Sequence, residues 1–161
     1  MILPILKHPD ARLKSIANEV IDFSSIKEIS SNMLETMYAA NGIGLAATQV
    51  NIPLRVIVID ISLDKKSPLV LINPKITVLD KKLNQYREGC LSVPDIFYEV
   101  TRPSKISVDA RDEFGTEINF VADGLLATCI QHEIDHLNGV LFINHLSQLK
   151  QKMITKKLIN R

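Results

Sequence analysis

The segment from residue 123 to residue 139 constrains the fold more than any other part of this chain. Asp123 is a suitable N-cap residue and Gly139 a suitable end, so the pattern predicts a helix. Apart from its polar centre this helix is apolar on nearly all sides, which is typical of a helix buried in a core. One face carries the apolar residues Leu126, Ile130, Ile134 and Leu137. We therefore expect the other elements to pack around one central helix.

The polar centre of the predicted helix is the sequence His132-Glu133-Ile134-Asp135-His136. At about 100° per residue, His132 and His136 lie one turn apart and roughly 40° apart around the axis, so both imidazoles can reach one metal ion. Glu133 lies about 100° from His132, close enough to hold a water molecule without being a ligand. Two histidines one turn apart also occur on ordinary surfaces. Here they belong to a largely apolar helix, where unpaired polar groups are costly, and this favours a metal site.

Two histidines leave a catalytic metal centre incomplete, because such centres usually have three protein ligands and an open position. The extended metallopeptidase pattern requires a histidine where this chain has Phe142. A downstream carboxylate is also excluded, since residues 137–161 contain no Asp or Glu. His145 lies nine residues after His136, which is not a spacing used by these patterns. The third ligand is therefore expected upstream.

Two cysteines are the upstream candidates. Cys129 shares the metal face of the helix, but it lies two turns from His136, roughly 10 Å along the axis. A short side chain with metal–sulfur bonds of about 2.3 Å does not easily span that distance. Cys129 is therefore interpreted either as pocket lining or as an ordinary core thiol. Cys90 follows Gly89, which permits close backbone approach to the helix. Elimination favours Cys90 as the third ligand, although a lone cysteine is more often a core residue.

The helices and strands predicted in the rest of the chain indicate an α+β fold, with antiparallel or mixed sheets wrapped on the central, metal-binding helix. A capping-box pattern at Ser25 and apolar residues at helical spacing predict a helix over residues 25–40. Segments 55–61 and 69–79 are rich in Val and Ile and are predicted strands. Alternating residues on both sides of a turn predict a hairpin over residues 105–122.

Length and charge limit the classes of function that remain. The chain has 161 residues, which is the size of one domain, so residues 1–161 are expected to form a single domain. Its 19 basic and 18 acidic residues leave a formal charge of +1, which argues against DNA binding or membrane binding by the chain as a whole. Two cysteines do not form a disulfide scaffold, and the opening segment lacks the features of a signal peptide, so we expect a cytoplasmic protein.

The C-terminal segment differs from the rest in charge. From residue 144 onward it contains five basic residues and no acidic ones. The apolar residues Leu146, Leu149, Met153 and Leu158 recur at near-helical spacing, which predicts an amphipathic helix at about residues 147–160 docked on the body. Its basic face is either an ordinary solvated surface or a contact for ribosomal RNA.

Three motifs occur in order along the chain: Gly42-Ile43-Gly44-Leu45-Ala46-Ala47-Thr48-Gln49, Glu88-Gly89-Cys90-Leu91-Ser92 and Gln131-His132-Glu133-Ile134-Asp135-His136. In sequence, order and spacing they resemble the three signature motifs of the peptide deformylases. The resemblance extends over nearly the whole chain. It implies an enzyme that hydrolyses the N-formyl group from the initiator methionine of nascent polypeptides and releases formate.

The resemblance also implies the metal chemistry. It implies that Cys90, His132 and His136 bind one divalent ion and that Glu133 is the general acid and base. A metal lowers the pKa of water, and a carboxylate can carry the water proton to the leaving amine. Fe²⁺ is the ion that the resemblance points to, whereas Zn²⁺, Ni²⁺ or Co²⁺ can occupy such a site in isolated protein.

Substrate contacts follow from the same resemblance. The side chain of Gln49 and the backbone N–H of Leu91 are implied to bind the developing oxyanion, and Gly44 to offer its backbone to an extended substrate. Gln49 could instead merely cap a strand. An apolar slot for the methionine side chain is expected from Ile43, Leu91, Leu125 and Cys129, although each could be plain core.

Two features of the sequence lie close to the second motif. Many bacterial members of the family carry an arginine soon after this motif, where the present chain reads Asp95-Ile96-Phe97-Tyr98. The sequence therefore does not indicate which residues contact the part of the substrate that follows its methionine. We expect Arg102 to pair with Glu88 and brace the Cys90 segment, with a solvated surface pair as the alternative.

Two other classes of protein fit the sequence less well. A metallopeptidase that cuts internal peptide bonds needs a downstream ligand, which the composition after His136 does not supply. A structural metal site is usually closed by four protein ligands, whereas three candidates converge here and Glu133 would have no role.

Overall fold

A computed structural model describes residues 1–160 of the chain. The described residues form five antiparallel strands in one sheet, in chain order, together with three α-helices and three 3-10 turns. The strands are β1 (Gly44–Ala46), β2 (Val56–Ile59), β3 (Leu69–Cys90), β4 (Val93–Arg111) and β5 (Glu117–Asp123). The α-helices are α1 (Ile26–Ala39), α2 (Gly124–Leu137) and α3 (Gln148–Ile159), and the 3-10 turns are Ala11–Lys14, Ala47–Val50 and Phe142–His145. The predicted α+β class is confirmed.

Helix α2 lies at the centre of the fold, as its apolar sequence predicted. Ten of its fourteen residues are buried, and it packs against all five strands. Ile130, Ile134 and Leu137 of the predicted apolar face are buried in one core cluster with residues of β2, β3, β4 and β5. The sheet therefore surrounds the helix that carries the H-E-x-x-H motif. Helix α1, over the range predicted for it, packs on β1 and β2 in a second cluster.

Strand β3 is much longer than the sequence predicted. The expected strand ended at residue 79, but β3 continues to Cys90 and turns directly into β4. Its second half is mostly exposed and polar, so no apolar run or strict alternation marked it as a strand. Register shifts between Asp80 and Leu83 interrupt the pairing with β4. The β3–β4 ribbon carries Cys90 beside its closing turn, whereas the predicted hairpin at residues 105–122 is confirmed as β4 and β5.

Several local predictions needed correction. Ser25 and Asp123 occupy the N-cap positions of α1 and α2, but neither side chain makes a capping hydrogen bond. In α3 the buried residue is Ile154. Leu149 and Met153 are 69% and 61% exposed, so the predicted apolar face was wrong at these two positions. Met153 precedes Ile154 by one residue and therefore points about 100° away from the docked side.

Helix α3 contacts the rest of the fold through a small number of side chains. Ile154 joins a third core cluster, together with Phe142 and residues of β4, and Leu146 and Leu158 pack against it. Ser147 accepts a hydrogen bond from the backbone N–H of Lys150, and Thr155 contacts the ring of His8 at 2.8 Å. Within residues 1–160, no helix combines the length and apolar character needed to cross a membrane.

Candidate metal centre

Helix α2 brings two imidazoles together in the core. His132 and His136 are both buried, and their Nε2 atoms lie 3.3 Å apart. Two nitrogen ligands about 2.0 Å from a tetrahedral ion are separated by about 3.3 Å, so this spacing suits one shared ion. The helix itself sets the arrangement, because residues four apart lie on the same face.

The β3–β4 ribbon supplies the third candidate ligand. The Sγ atom of Cys90 lies 3.2 Å from Nε2 of His136. The ligand atoms of Cys90, His132 and His136 all lie within 4.8 Å of one another. Cys129 is not a member of this group. It is buried beside Glu133, and burial, with the neighbouring carboxylates, raises its pKa to about 12, so it remains a neutral thiol.

The surroundings of these three residues fit a cation. Burial alone would lower the pKa of His132, but the charge of Glu133 and the hydrogen bonds that the ring donates to Cys90 and Glu88 raise it well above its ordinary value. Burial and the charge of His132 lower the pKa of His136 well below its ordinary value, so the surroundings favour positive charge at His132 and a neutral ring at His136. Thiolate and imidazole are both ligands of catalytic zinc sites, which have three protein ligands and a fourth position for a non-protein ligand.

A buried chain of polar groups holds His132 from behind. Its Nδ1 atom is 2.9 Å from Glu88 Oε1, and the Arg102 guanidinium donates two hydrogen bonds to the Glu88 carboxylate, at 2.8 and 3.1 Å. Arg102 also donates to Asp135 at 2.9 Å, and Asp135 contacts His145 at 3.0 Å. The predicted Arg102–Glu88 pair is confirmed, and since both side chains are 5% exposed the surface alternative was wrong. Such partners fix the orientation of a metal-binding imidazole.

Glu133 has the environment of a general base. It is buried, and its Oε1 atom is among the buried side-chain polar atoms of the described chain that lack a hydrogen-bond partner. Burial, reinforced by the Glu88 charge, raises its pKa to about 7 despite the opposing effect of His132. Strand β1 approaches this carboxylate so closely that a Cβ atom at Gly44 would collide with Glu133 Oε2. A carboxyl that titrates near neutral pH can both accept and return a proton.

The side chain of Gln49 connects three elements. Its Oε1 accepts a hydrogen bond from the backbone N–H of Ala46 at 2.9 Å. Its Nε2 donates to Ser92 Oγ at 3.0 Å and points toward Cys90 Sγ at 3.5 Å. The carbonyl oxygen of Gln49 therefore makes the kind of capping contact that the sequence left open, while the amide nitrogen faces the candidate metal site.

A cavity of about 600 Å³ opens beside the three candidate ligand residues. This is the size of a ligand pocket, and larger than a single water site. Besides Gln49, Cys90, His132 and Glu133, it is lined by all five residues predicted to contact substrate, namely Ile43, Gly44, Leu91, Leu125 and Cys129. Ile43 and Leu125 are partly exposed at its mouth, so they are not plain core.

The sequence did not identify three further residues around the cavity. Lys7 donates from Nζ to the carbonyl of Leu91 at 2.9 Å, and no sequence signal links it to the site. Phe97 lines the cavity and packs so closely on Gly89 that a Cβ atom there would collide with its ring. Ser92 is fully buried beside Gln49. Its occurrence within the second motif was the available signal.

Comparisons with known proteins agree with this geometry. A sequence model of the polypeptide deformylase family matches residues 2–152. A peptide deformylase of Cellvibrio japonicus is 54% identical over 158 residues, covering 98% of this chain and 94% of the relative. One from Pseudomonas aeruginosa is 52% identical, with the same shares covered. The crystal structure of a peptide deformylase from Legionella pneumophila superposes with a TM-score of 0.93 at 46% identity, covering 99% of this chain and 95% of that one.

Proposed function

The chain belongs to the peptide deformylase family, and from this premise we propose that its deformylation chemistry takes place at the Cys90, His132 and His136 group. As a member of the family it is a hydrolase that removes the N-formyl group from newly synthesised polypeptides. The observation that carries the assignment of the site is the convergence of these three ligand atoms within 4.8 Å beside the buried Glu133.

Each side chain of the site has a chemical task in this proposal. A divalent ion held by Cys90, His132 and His136 would supply Lewis acidity and lower the pKa of water. Glu133 accepts the proton of the attacking water and donates it to the leaving amine nitrogen, a transfer suited to a carboxyl with a pKa of about 7. Formate and a free N-terminal methionine are the products.

Other groups bind and orient the substrate. The Gln49 amide and the Leu91 backbone N–H donate hydrogen bonds to the formyl oxygen as negative charge develops on it. Gly44 offers its backbone to the extended peptide. The methionine side chain occupies the slot lined by Ile43, Leu91, Leu125 and Cys129, and apolar lining suits an unbranched thioether chain.

A turnover assay separates this function from the alternatives. We expect release of formate from formyl-Met peptides, and no hydrolysis of acetyl-Met peptides or of internal bonds in an unblocked peptide. Cleavage of internal bonds would instead indicate a general metallopeptidase. Metal binding without any turnover would indicate a structural metal site.

For the ion, we propose Fe²⁺ as the active cellular metal. Affinity order alone favours Zn²⁺, so the proposal rests on the readiness of Fe²⁺ to accept more than four ligands at an open site. A thiolate beside an oxidisable ion is vulnerable, so activity should decline in air with metal loss or oxidation of Cys90. Anaerobic loading with Fe²⁺, Ni²⁺, Co²⁺ or Zn²⁺, followed by metal analysis, mass spectrometry of Cys90 and kcat/KM, tests this. A Zn²⁺ form as fast as the Fe²⁺ form would contradict the choice of ion and leave deformylation intact.

For partners and location, we propose a cytoplasmic enzyme that contacts the ribosome through α3. The exposed residues Lys152, Lys156 and Lys157 support this, together with the absence of acidic residues after position 136. Electrostatic contact with RNA weakens steeply with salt. Co-sedimentation with ribosomes should fall with salt and after neutralising these three lysines. A matched control neutralises three exposed lysines outside α3, namely Lys65, Lys66 and Lys82.

Equal co-sedimentation of both triple variants would refute the ribosome contact. Immunoblotting of fractionated cells tests the location, and recovery of the protein with the membrane fraction would count against it.

A further inference from the structure

We propose that Ser92 is a positioning residue that aims the Gln49 amide at the substrate oxygen. Ser92 has no place in the chemistry described above, yet its hydroxyl is fully buried and accepts a hydrogen bond from Gln49 Nε2 at 3.0 Å. The inference rests on the proposed role of Gln49 as an oxyanion donor and goes beyond it, because it identifies what makes that donor rigid.

Two anchors fix the plane of the Gln49 amide. The backbone N–H of Ala46 donates to Oε1 at 2.9 Å, and Ser92 Oγ receives one hydrogen of Nε2. A primary amide has one acceptor oxygen and two N–H donors in a single plane, so two bonds at opposite ends leave it little freedom to rotate. The remaining N–H points toward Cys90 Sγ, 3.5 Å from Nε2. The donor is therefore directed at the candidate metal site before substrate arrives.

The rigidity of this donor has consequences for catalysis. Hydrogen-bond donors stabilise a developing oxyanion most effectively when they need no reorganisation during the reaction. Without the Ser92 hydroxyl, Ala46 would still hold Oε1, but only the long 3.5 Å contact with Cys90 Sγ would hold Nε2, so the amide could turn about its last side-chain bond. A displacement of about 1 Å at a catalytic group can cost about 100-fold in rate.

Ser92 is itself held by the ribbon that carries Cys90. Cys90 pairs with Val93 across the closing turn of β3 and β4, and the Ser92 carbonyl accepts a hydrogen bond from the backbone N–H of His8 at 2.7 Å. The same turn therefore sets both a candidate metal ligand and the acceptor that orients Gln49. Replacing the Ser92 side chain leaves these backbone bonds in place.

A double-mutant cycle tests the proposal on metal-loaded enzyme. Gln49→Ala should lower kcat by about 10²–10³, the loss typical of one oxyanion donor. Ser92→Ala should lower kcat about tenfold or more with little change in KM. In the double variant the Ser92 change should cost nothing further, because the donor that it orients is gone. Metal content is measured for every variant, and Ser30→Ala serves as the control, since Ser30 is a buried serine of α1 remote from the site.

A second measurement follows the Gln49 amide itself and does not depend on turnover. In the Zn²⁺-loaded wild-type protein, the side-chain amide of Gln49, assigned by its loss in Gln49→Ala, should show two distinct proton signals protected from solvent exchange. Ser92→Ala should abolish that protection, whereas Ser30→Ala should preserve it.

The outcomes separate the proposed role of Gln49 from the proposed role of Ser92. An unchanged kcat in Gln49→Ala would refute the proposed role of Gln49. A large loss in Gln49→Ala with an unchanged Ser92→Ala, or losses that multiply in the double variant, would refute the positioning role alone. Free rotation of the Gln49 amide in wild-type protein would refute it as well.

Discussion

The two regions that meet at the candidate metal centre, helix α2 and the closing turn of the β3–β4 ribbon, are built in different ways. In α2, His132 and His136 lie four residues apart, so helical geometry alone brings their rings together. The ribbon supplies Cys90, which lies 46 residues from its contact His136. Its position depends on contacts between elements, such as Glu88 with His132 and Arg102 with Asp135. Local geometry therefore fixes one part of the centre, and tertiary packing fixes the other.

Removing the ribbon's ligand should give the largest effect. Cys90→Ala leaves the two imidazoles without a third ligand, so metal affinity should fall by more than the roughly 10–100-fold typical of losing an outer-shell partner, and activity should fall with it. Metal content after dialysis against a weak chelator measures this. Cys129→Ala is the matched control on α2 and should retain the metal. Full metal retention by Cys90→Ala would contradict the assignment of this ligand.

A substitution on α2 should have the opposite signature. Glu133→Ala removes the proposed acid and base while all three proposed ligands remain, so the protein should keep its metal and lose about 10²–10⁴ in kcat. Metal analysis and steady-state kinetics on the same sample distinguish the two variants. If metal and activity were lost in parallel, Glu133 would be a ligand or a structural residue instead.

The same contrast explains how much the sequence could predict. The two histidines and Glu133 were identified because their relation is encoded within five residues, and the buried setting followed from the apolar helix around them. Cys90 was reached by elimination and by resemblance, since no local rule relates residue 90 to residue 132. The Arg102–Glu88 pair was predicted as a brace for the Cys90 segment, and the structure adds that both side chains are buried.

Features that arise from long-range packing were not predictable in this way. The second half of β3 is an exposed ribbon with few apolar residues, so its length depends on pairing with β4 rather than on its own pattern. The contacts of Lys7 with Leu91 and of Ser92 with Gln49 join residues 84 and 43 positions apart. In α3 the helical spacing of apolar residues was evident from the sequence. Which side of the helix is buried depends on the residues of β4 and the Phe142 segment against which it packs.

A third prediction concerns the ion pair that links the two regions. Arg102→Met removes one of the two partners of the buried Glu88 carboxylate and breaks the contact with Asp135, while the contact of Glu88 with His132 remains. Breaking a buried ion pair by removing one partner typically costs about 3–5 kcal/mol of unfolding free energy, and because His132 still faces Glu88 we expect a loss near the lower end of that range. Urea unfolding of the metal-free protein measures this. Arg12→Met is the control, since Arg12 pairs with Asp10 at the surface and should matter far less. Similar losses in both variants would mean that burial of the Arg102 pair has no special role.

The smallest effect concerns the mouth of the cavity, where each region contributes one apolar side chain. Leu125 of α2 is 41% exposed, and Phe97 of the ribbon is 53% exposed with the Arg87 guanidinium 5.7 Å from its ring centre. We expect Leu125→Ala to raise KM for every formyl-Met substrate, because it belongs to the proposed methionine slot.

Phe97→Ala should raise KM about fivefold for formyl-Met tripeptides with an apolar third residue, and little for formyl-Met amide. Covering half of an aromatic ring is worth about 1 kcal/mol. Steady-state KM values for the two substrates with both variants test this. Equal increases for the short and the long substrate in Phe97→Ala would show that the ribbon also shapes the methionine slot. In that case α2 and the ribbon would not bind different parts of the substrate.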